Sequence, residues 1–161
     1  MENVKFKVEG KFRMEQVRDG KVIDVREGKN IITTEGFLSL LDVMFGTDSK
    51  ISAWYIGLVE DSPTYAVGDT LASHAGWTEG VGYSGNRQLW STDGASALAI
   101  TNSTASEFTI TATADIYGAF ICSAATGTTG VLWCEKSFAS PLSVVATDVI
   151  RIYYTVTVSQ A

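Results

Sequence analysis

Near the end of the chain the run VIRIYYTVTV sets apolar and polar residues in alternation, with Ile150, Ile152, Tyr154, Val156 and Val158 on one face. A period of two belongs to a strand with one face buried and one wet, and no helix can segregate such a pattern. The chain must therefore build a sheet whose apolar side is covered by a second layer of comparable area. Shorter runs of the same character occupy 97–101, 107–112, 116–122 and 131–136, and the links between them are too short for crossover helices. The expected fold is mainly β: about eight to ten antiparallel strands in a β-sandwich or jelly-roll-like arrangement with one short helix.

The first thirty residues carry the same signal. Val4, Phe6 and Val8, then Phe12 and Met14, then Val22, Ile23 and Val25 alternate with polar residues, with Glu9-Gly10 and Asp19-Gly20 between the runs. Asp-Gly between alternating runs marks a hairpin, so a three-stranded meander is expected over 1–30. This segment has a local charge of +2, which leaves −8 for the remainder, within a net charge of −6. Its Lys5, Lys7, Lys11 and Arg13 are candidate interface residues for an arm that docks on an acidic neighbour. The acidic body disfavours direct nucleic-acid binding, which needs clustered Lys and Arg.

Residues 31–161 are expected to form a single sandwich domain. In TTEGFLSLLDVMFG, Thr33 or Thr34 can cap a helix over about 34–45, where Phe37, Leu40, Leu41, Met44 and Phe45 recur at helical spacing until Gly46. That helix is expected to close one end of the sheet core. The run ISAWYIGLV lacks clean alternation and reads as a strand buried on both faces. A long aperiodic loop follows over 60–94, unusual within a compact domain and therefore structured by something. Trp77, Tyr83 and Trp90 are the rings available to pin it, and with Arg87 as a polar anchor they could instead face a sugar or a partner.

Within that loop EGVGYSGNR places Gly80, Gly82 and Gly85 in the spacing of a dinucleotide-binding turn. That chemistry needs a strand before the first glycine and a helix after the third, and neither flank qualifies. No cofactor is expected. His74 is the only histidine, which excludes any site built on two imidazoles, and no G-x-S-x-G elbow or calcium loop is present. No catalytic or metal residues are assigned. Cys122 and Cys134, far from metal-ligand spacing, read as buried thiols that could be neighbours across a hairpin. No window approaches the length of a membrane span or a secretory core, so no membrane partner is expected and the chain is expected to fold in the cytoplasm where it is made.

The helix FLSLLDVMFG, the strand AWYIGLVED, the loop DTLASHAGWTEGVGYSGNRQLW and the run TTGVLWCEKSF together resemble a family of small structural proteins of tailed bacteriophages. The order of these segments agrees from about Glu35 onward, and ASHAGWTE followed by GNR-x-x-W is the most specific part. The resemblance implies a virion protein of the cement or decoration kind on the outer capsid surface. Its partners would be the major capsid protein and other copies of itself, as a dimer or trimer. Tail- or fibre-associated proteins of similar length are the alternative, and a glycan-binding β-sandwich module is a third. The resemblance implies no catalytic residues.

Overall fold

A computed structural model describes residues 5–160. The elements run β1 (Phe6–Arg18), β2 (Lys21–Lys29), β3 (Ile31–Ile32), α1 (Thr34–Phe45), β4 (Tyr55–Val59), β5 (Gln88–Leu89), β6 (Ala99–Thr101), β7 (Ser106–Thr109), β8 (Ala114–Cys122), β9 (Leu132–Val144) and β10 (Val149–Gln160). They form two antiparallel sheets, one ordered β2-β1-β10-β6 with β7 also on β10, the other β3-β9-β8-β4-β5. This is the mainly β, two-sheet architecture with one helix that the alternation predicts. Among the described residues no helix is long and apolar enough to cross a membrane.

The alternating face of β10 does what its period requires. Ile150, Ile152 and Tyr154 are fully buried, and they pack with Phe12 and Met14 of β1 against Ile56, Leu58, Ile121 and Cys134 of the opposing sheet. Five or more large side chains buried at about 2 kcal/mol each make this layer the principal source of stability.

The N-terminal segment differs from expectation in two ways. The predicted turn at Glu9-Gly10 is absent: β1 is one strand that passes through Gly10, paired to Val156. The glycine is there because a Cβ would lie 2.2 Å from the Tyr154 hydroxyl and 2.0 Å from Asn30 Oδ1, so the strand has no room for a side chain. Asp19 and Gly20, both at positive φ, make the expected hairpin turn. The described part of the segment is therefore a two-stranded hairpin, and Val4 lies outside the described residues. Moreover, β1 lies between β2 and β10 and buries Phe12, Met14 and Val17, so this hairpin is integral to the first sheet rather than an arm attached to it.

The second sheet is covered on both faces, which explains why YIGLV in β4 does not alternate. Ile56 and Leu58 join the core between the sheets, while Val59 joins Phe120, Cys122, Leu132, Leu71 and Trp77 in a second cluster on the other side. Leu71 and Trp77 come from the 60–94 loop. The loop is long because it is the roof of this outer face: the Gly80 amide donates to the Leu58 carbonyl at 2.7 Å, and the Tyr65 hydroxyl donates to the Lys136 carbonyl at 3.2 Å. Ordering so much irregular backbone costs about 1–2 kcal/mol per residue, and the buried rings offset it.

Helix α1 starts as predicted. Thr33 is the N-cap, its Oγ1 accepting from the Gly36 amide at 3.0 Å, and Gly46 follows the last turn. The Glu35 carboxylate accepts from the backbone amides of Leu71 and Leu132, at 3.1 and 2.6 Å, and so ties the first turn to both the roof and β9. Gly36 is the only buried residue of the helix; a Cβ there would lie 2.7 Å from the Trp133 carbonyl oxygen. The expectation that α1 closes the core with its apolar side chains is thus corrected. The backbone meets β9 directly at Gly36, and Leu38, Leu41, Met44 and Phe45 are left facing outward.

Candidate docking surface

The glycine loop is not built as a dinucleotide-binding turn. Among the described residues no helix follows Gly85, and two amides of the motif are already committed: Gly80 to the Leu58 carbonyl, and Gly82 to Glu60 Oε1 at 2.7 Å. An internal carboxylate takes one of the donors that a phosphate would need. Gly85 has φ +85, the left-handed geometry that glycine supplies to the turn.

Of the four loop residues singled out as interface candidates, three are interior. Trp77 and Tyr83 are buried, Trp77 against Phe120 at 4.7 Å between ring centroids and Tyr83 edge-on to Phe108 at 4.9 Å. Arg87 is 6% exposed. Its guanidinium makes a two-pronged pair with Glu79, both bonds 2.7 Å, and donates to the carbonyls of Ala124 and Gly127, each at 2.9 Å. It also lies 5.1 Å from the centre of the Phe120 ring. Arg87 is therefore a staple between two loops, and a partner cannot reach it. The half-buried Trp90 donates to Asn102 Oδ1 and the Tyr154 carbonyl, at 3.0 and 3.2 Å.

The basic candidates are distributed over the wet face of the first sheet and are largely neutralised. Lys7 pairs with Glu9 at 2.9 Å, Lys11 with Glu27 at 2.6 Å, and Arg13 with Glu15 and Glu27. Lys5 is exposed just ahead of β1. The result is a charge-laced face of mixed sign rather than a basic patch, and ion pairs so exposed contribute little to stability.

The groups with reactive potential are held in structural contacts. His74 stacks on Trp77 at 3.8 Å, with Nδ1 3.3 Å from the Trp77 carbonyl oxygen. Cys134 sits between the sheets and Cys122 under the roof, in separate clusters, and both are free thiols whose pKa burial pushes up. Among the described residues no three His, Cys, Asp or Glu side chains are grouped to hold a metal ion. Glu135, also under the roof, is fully buried and accepts from Trp77 Nε1 at 2.7 Å, while its Oε2 has no hydrogen-bond partner. Burial, with help from the nearby Asp69 charge, pushes its carboxyl up to about 8.

The feature that departs furthest from an ordinary sandwich is the region around α1. Leu38 is 56% exposed, Leu41 53%, Met44 63% and Phe45 83%. On the inner side of the helix, Leu40 and Val43 do not reach the core; with Trp54, Leu89, Trp90 and Trp133 they line an open groove of about 500 Å³. Trp54 and Trp133 lie 6.1 Å apart there. Sequence reasoning identified the helix and missed its exposure, although a signal was present. Seven of its twelve residues are large and apolar, which covers more of the circumference than a single core-facing stripe can bury. No protein-family model matches the chain, and no curated protein matches it.

Proposed function

We propose that this protein is a non-enzymatic structural component of a phage virion, a capsid cement protein that binds the major capsid protein and bridges neighbouring subunits on the outer shell. The observation that carries the reading is the contiguous apolar surface of α1 and the groove beside it, set on a scaffold whose Arg87 and His74 are held in internal contacts. Soluble monomers rarely leave a patch of this kind uncovered, and such patches mark protein contacts. The resemblance of the segments from Glu35 onward to small phage structural proteins supplies the virion context. An acidic body suits an outer position, away from packaged DNA, and self-association as a dimer or trimer would multiply the attachment points.

A tail- or fibre-associated position is the alternative within the same class. The tryptophans of the groove favour a third reading, a glycan-binding module, since flat rings stack on sugar faces. The test is quantitative. Shells lacking the protein should take it up saturably to a high copy number, and loading should raise their resistance to heat. A few copies at one vertex or on the tail would instead favour the tail reading. Saturable glycan binding without shell binding would favour the module.

A further inference from the structure

We propose that residues 50–53, one wall of the groove, form a strand-addition site that takes up an extended segment of a partner subunit, with apolar residues at alternate positions and an acidic residue against Lys50. In naming the segment that a capsid subunit would offer, the proposal rests on the reading above; its support comes from hydrogen-bonding groups and charge. Over residues 50–54 the chain runs without turn or bend into β4. The ladder between β4 and β5 pairs Ile56 with Gln88 and Tyr55 with Leu89, the Trp90 amide donates to the Trp54 carbonyl at 2.8 Å, and there the pairing stops. The next carbonyl on the β5 side, that of Ser91, accepts from the Ser103 amide at 2.8 Å instead. Lys50, Ile51, Ser52 and Ala53 are left in no ladder and in no main-chain hydrogen bond among the described residues.

A row of unpaired main-chain donors and acceptors beside an apolar floor is the recognition surface for an extended peptide, in which the main chain gives affinity and alternate side chains give specificity. Trp54 adds a further donor. The indole N–H groups of Trp77, Trp90 and Trp133 are all bonded within the fold, whereas that of Trp54, in the groove, has no acceptor among the described residues. Charge selects the occupant. Lys50 is the only charged residue that lines the groove, it is exposed, and it joins none of the ion pairs among the described residues. A basic residue opposite it would be repelled and an acidic one favoured. Four residues of strand span about 13 Å, enough for two side chains of the segment to face the floor. A sugar would use the rings and leave the main-chain row unpaired. The site lies on the inner side of α1, where Leu40 and Val43 look across the groove to Ile100 and Val156, so the outward face of the helix takes no part in it.

The probe is a labelled pool of eight-residue peptides with valine, isoleucine, leucine or phenylalanine at alternate positions, threonine between them and aspartate at one end. It is titrated with the full chain and followed by fluorescence anisotropy, with circular dichroism as the check on folding. The wild type should bind the pool saturably. Lys50→Glu should weaken binding by about tenfold and should prefer a pool that ends in lysine. Ala53→Pro removes an amide that no main-chain bond of the fold uses, and it should weaken binding too, as should N-methylation of alternate amides in the peptides. Absence of saturable binding, or equal binding by the N-methylated pool or by both folded variants, would overturn the proposal. So would a wild type that dimerises through this wall, since the occupant would then be a second copy. The cement reading fails separately: peptide binding of this pattern without uptake by shells refutes that reading and leaves this one intact, whereas shell loading that Lys50→Glu and Ala53→Pro leave unchanged refutes this one alone.

Discussion

Glu135 makes the stability of this fold depend on pH, and Glu135→Gln isolates the effect. The carboxyl lies under the roof loop, with Trp77 Nε1 on one oxygen and no hydrogen-bond partner on the other; its pKa stands at about 8 against an ordinary 4.5, raised by burial first and by Asp69 second. Between those two values the folded chain holds a proton that the unfolded chain has released. The associated stability is complete below the unfolded pKa, declines as pH rises, and is gone once pH passes the folded value. A gap of this size corresponds to at most about 5 kcal/mol. Glutamine keeps an acceptor for Trp77 and cannot ionise. In urea titrations at pH 5, 6, 7 and 8.5 the wild type should lose stability relative to Glu135→Gln by a few kcal/mol across the series, and protease cleavage within 60–94 should rise in the wild type alone. Taking the difference between the two proteins cancels every other titrating group that the substitution leaves untouched. Parallel stability profiles would refute the reasoning, because they would mean that Glu135 ionises as freely folded as unfolded.

Trp77→Ala should cost about 3–5 kcal/mol by emptying the centre of the second cluster, and should expose 60–94 to proteases at concentrations that leave the strands intact; unchanged cleavage would show that the ring does not hold the roof. Arg87→Ala leaves Glu79 and the carbonyls of Ala124 and Gly127 without their donor and should lower stability by about 3 kcal/mol, read as a drop in melting temperature. Deletion of residues 1–30 removes β1 and half the pairing of β10, so the truncated chain should lack a cooperative unfolding transition by circular dichroism.

What the sequence makes legible follows from the range of the forces involved. The period of β10, the Asp19-Gly20 turn and the Thr33 cap are local, and each appears in the structure where the residues place it. β9 extends further than the expected run, through Pro141 to Val144, because Leu142 and Val144 find buried positions opposite Ile116 and Ala114. A proline and a polar stretch conceal that continuation from any local rule. The role of Arg87 is hidden for a stronger reason: Glu79, Phe120, Ala124 and Gly127 come together only through the tertiary fold. A charged residue in a glycine-rich loop reads as surface until its partners are known. For α1 the difficulty is the reverse, since its excess of apolar residues was visible but an amphipathic count assumes that every apolar side chain finds a home in its own chain.

The pairing of β1 with β10 has a mechanical consequence. Phe6 lies opposite Gln160 and Val17 opposite Val149, so the outer ends of both strands emerge side by side. Tension applied between residues 6 and 160 would open that ladder one pair at a time, as a zipper opens. Tension between residues 18 and 160 would run along the strands and load the whole ladder in shear, where many bonds must break together. Attachment through residues 6 and 160 would therefore yield at low force, and attachment through residues 18 and 160 would hold to a higher one.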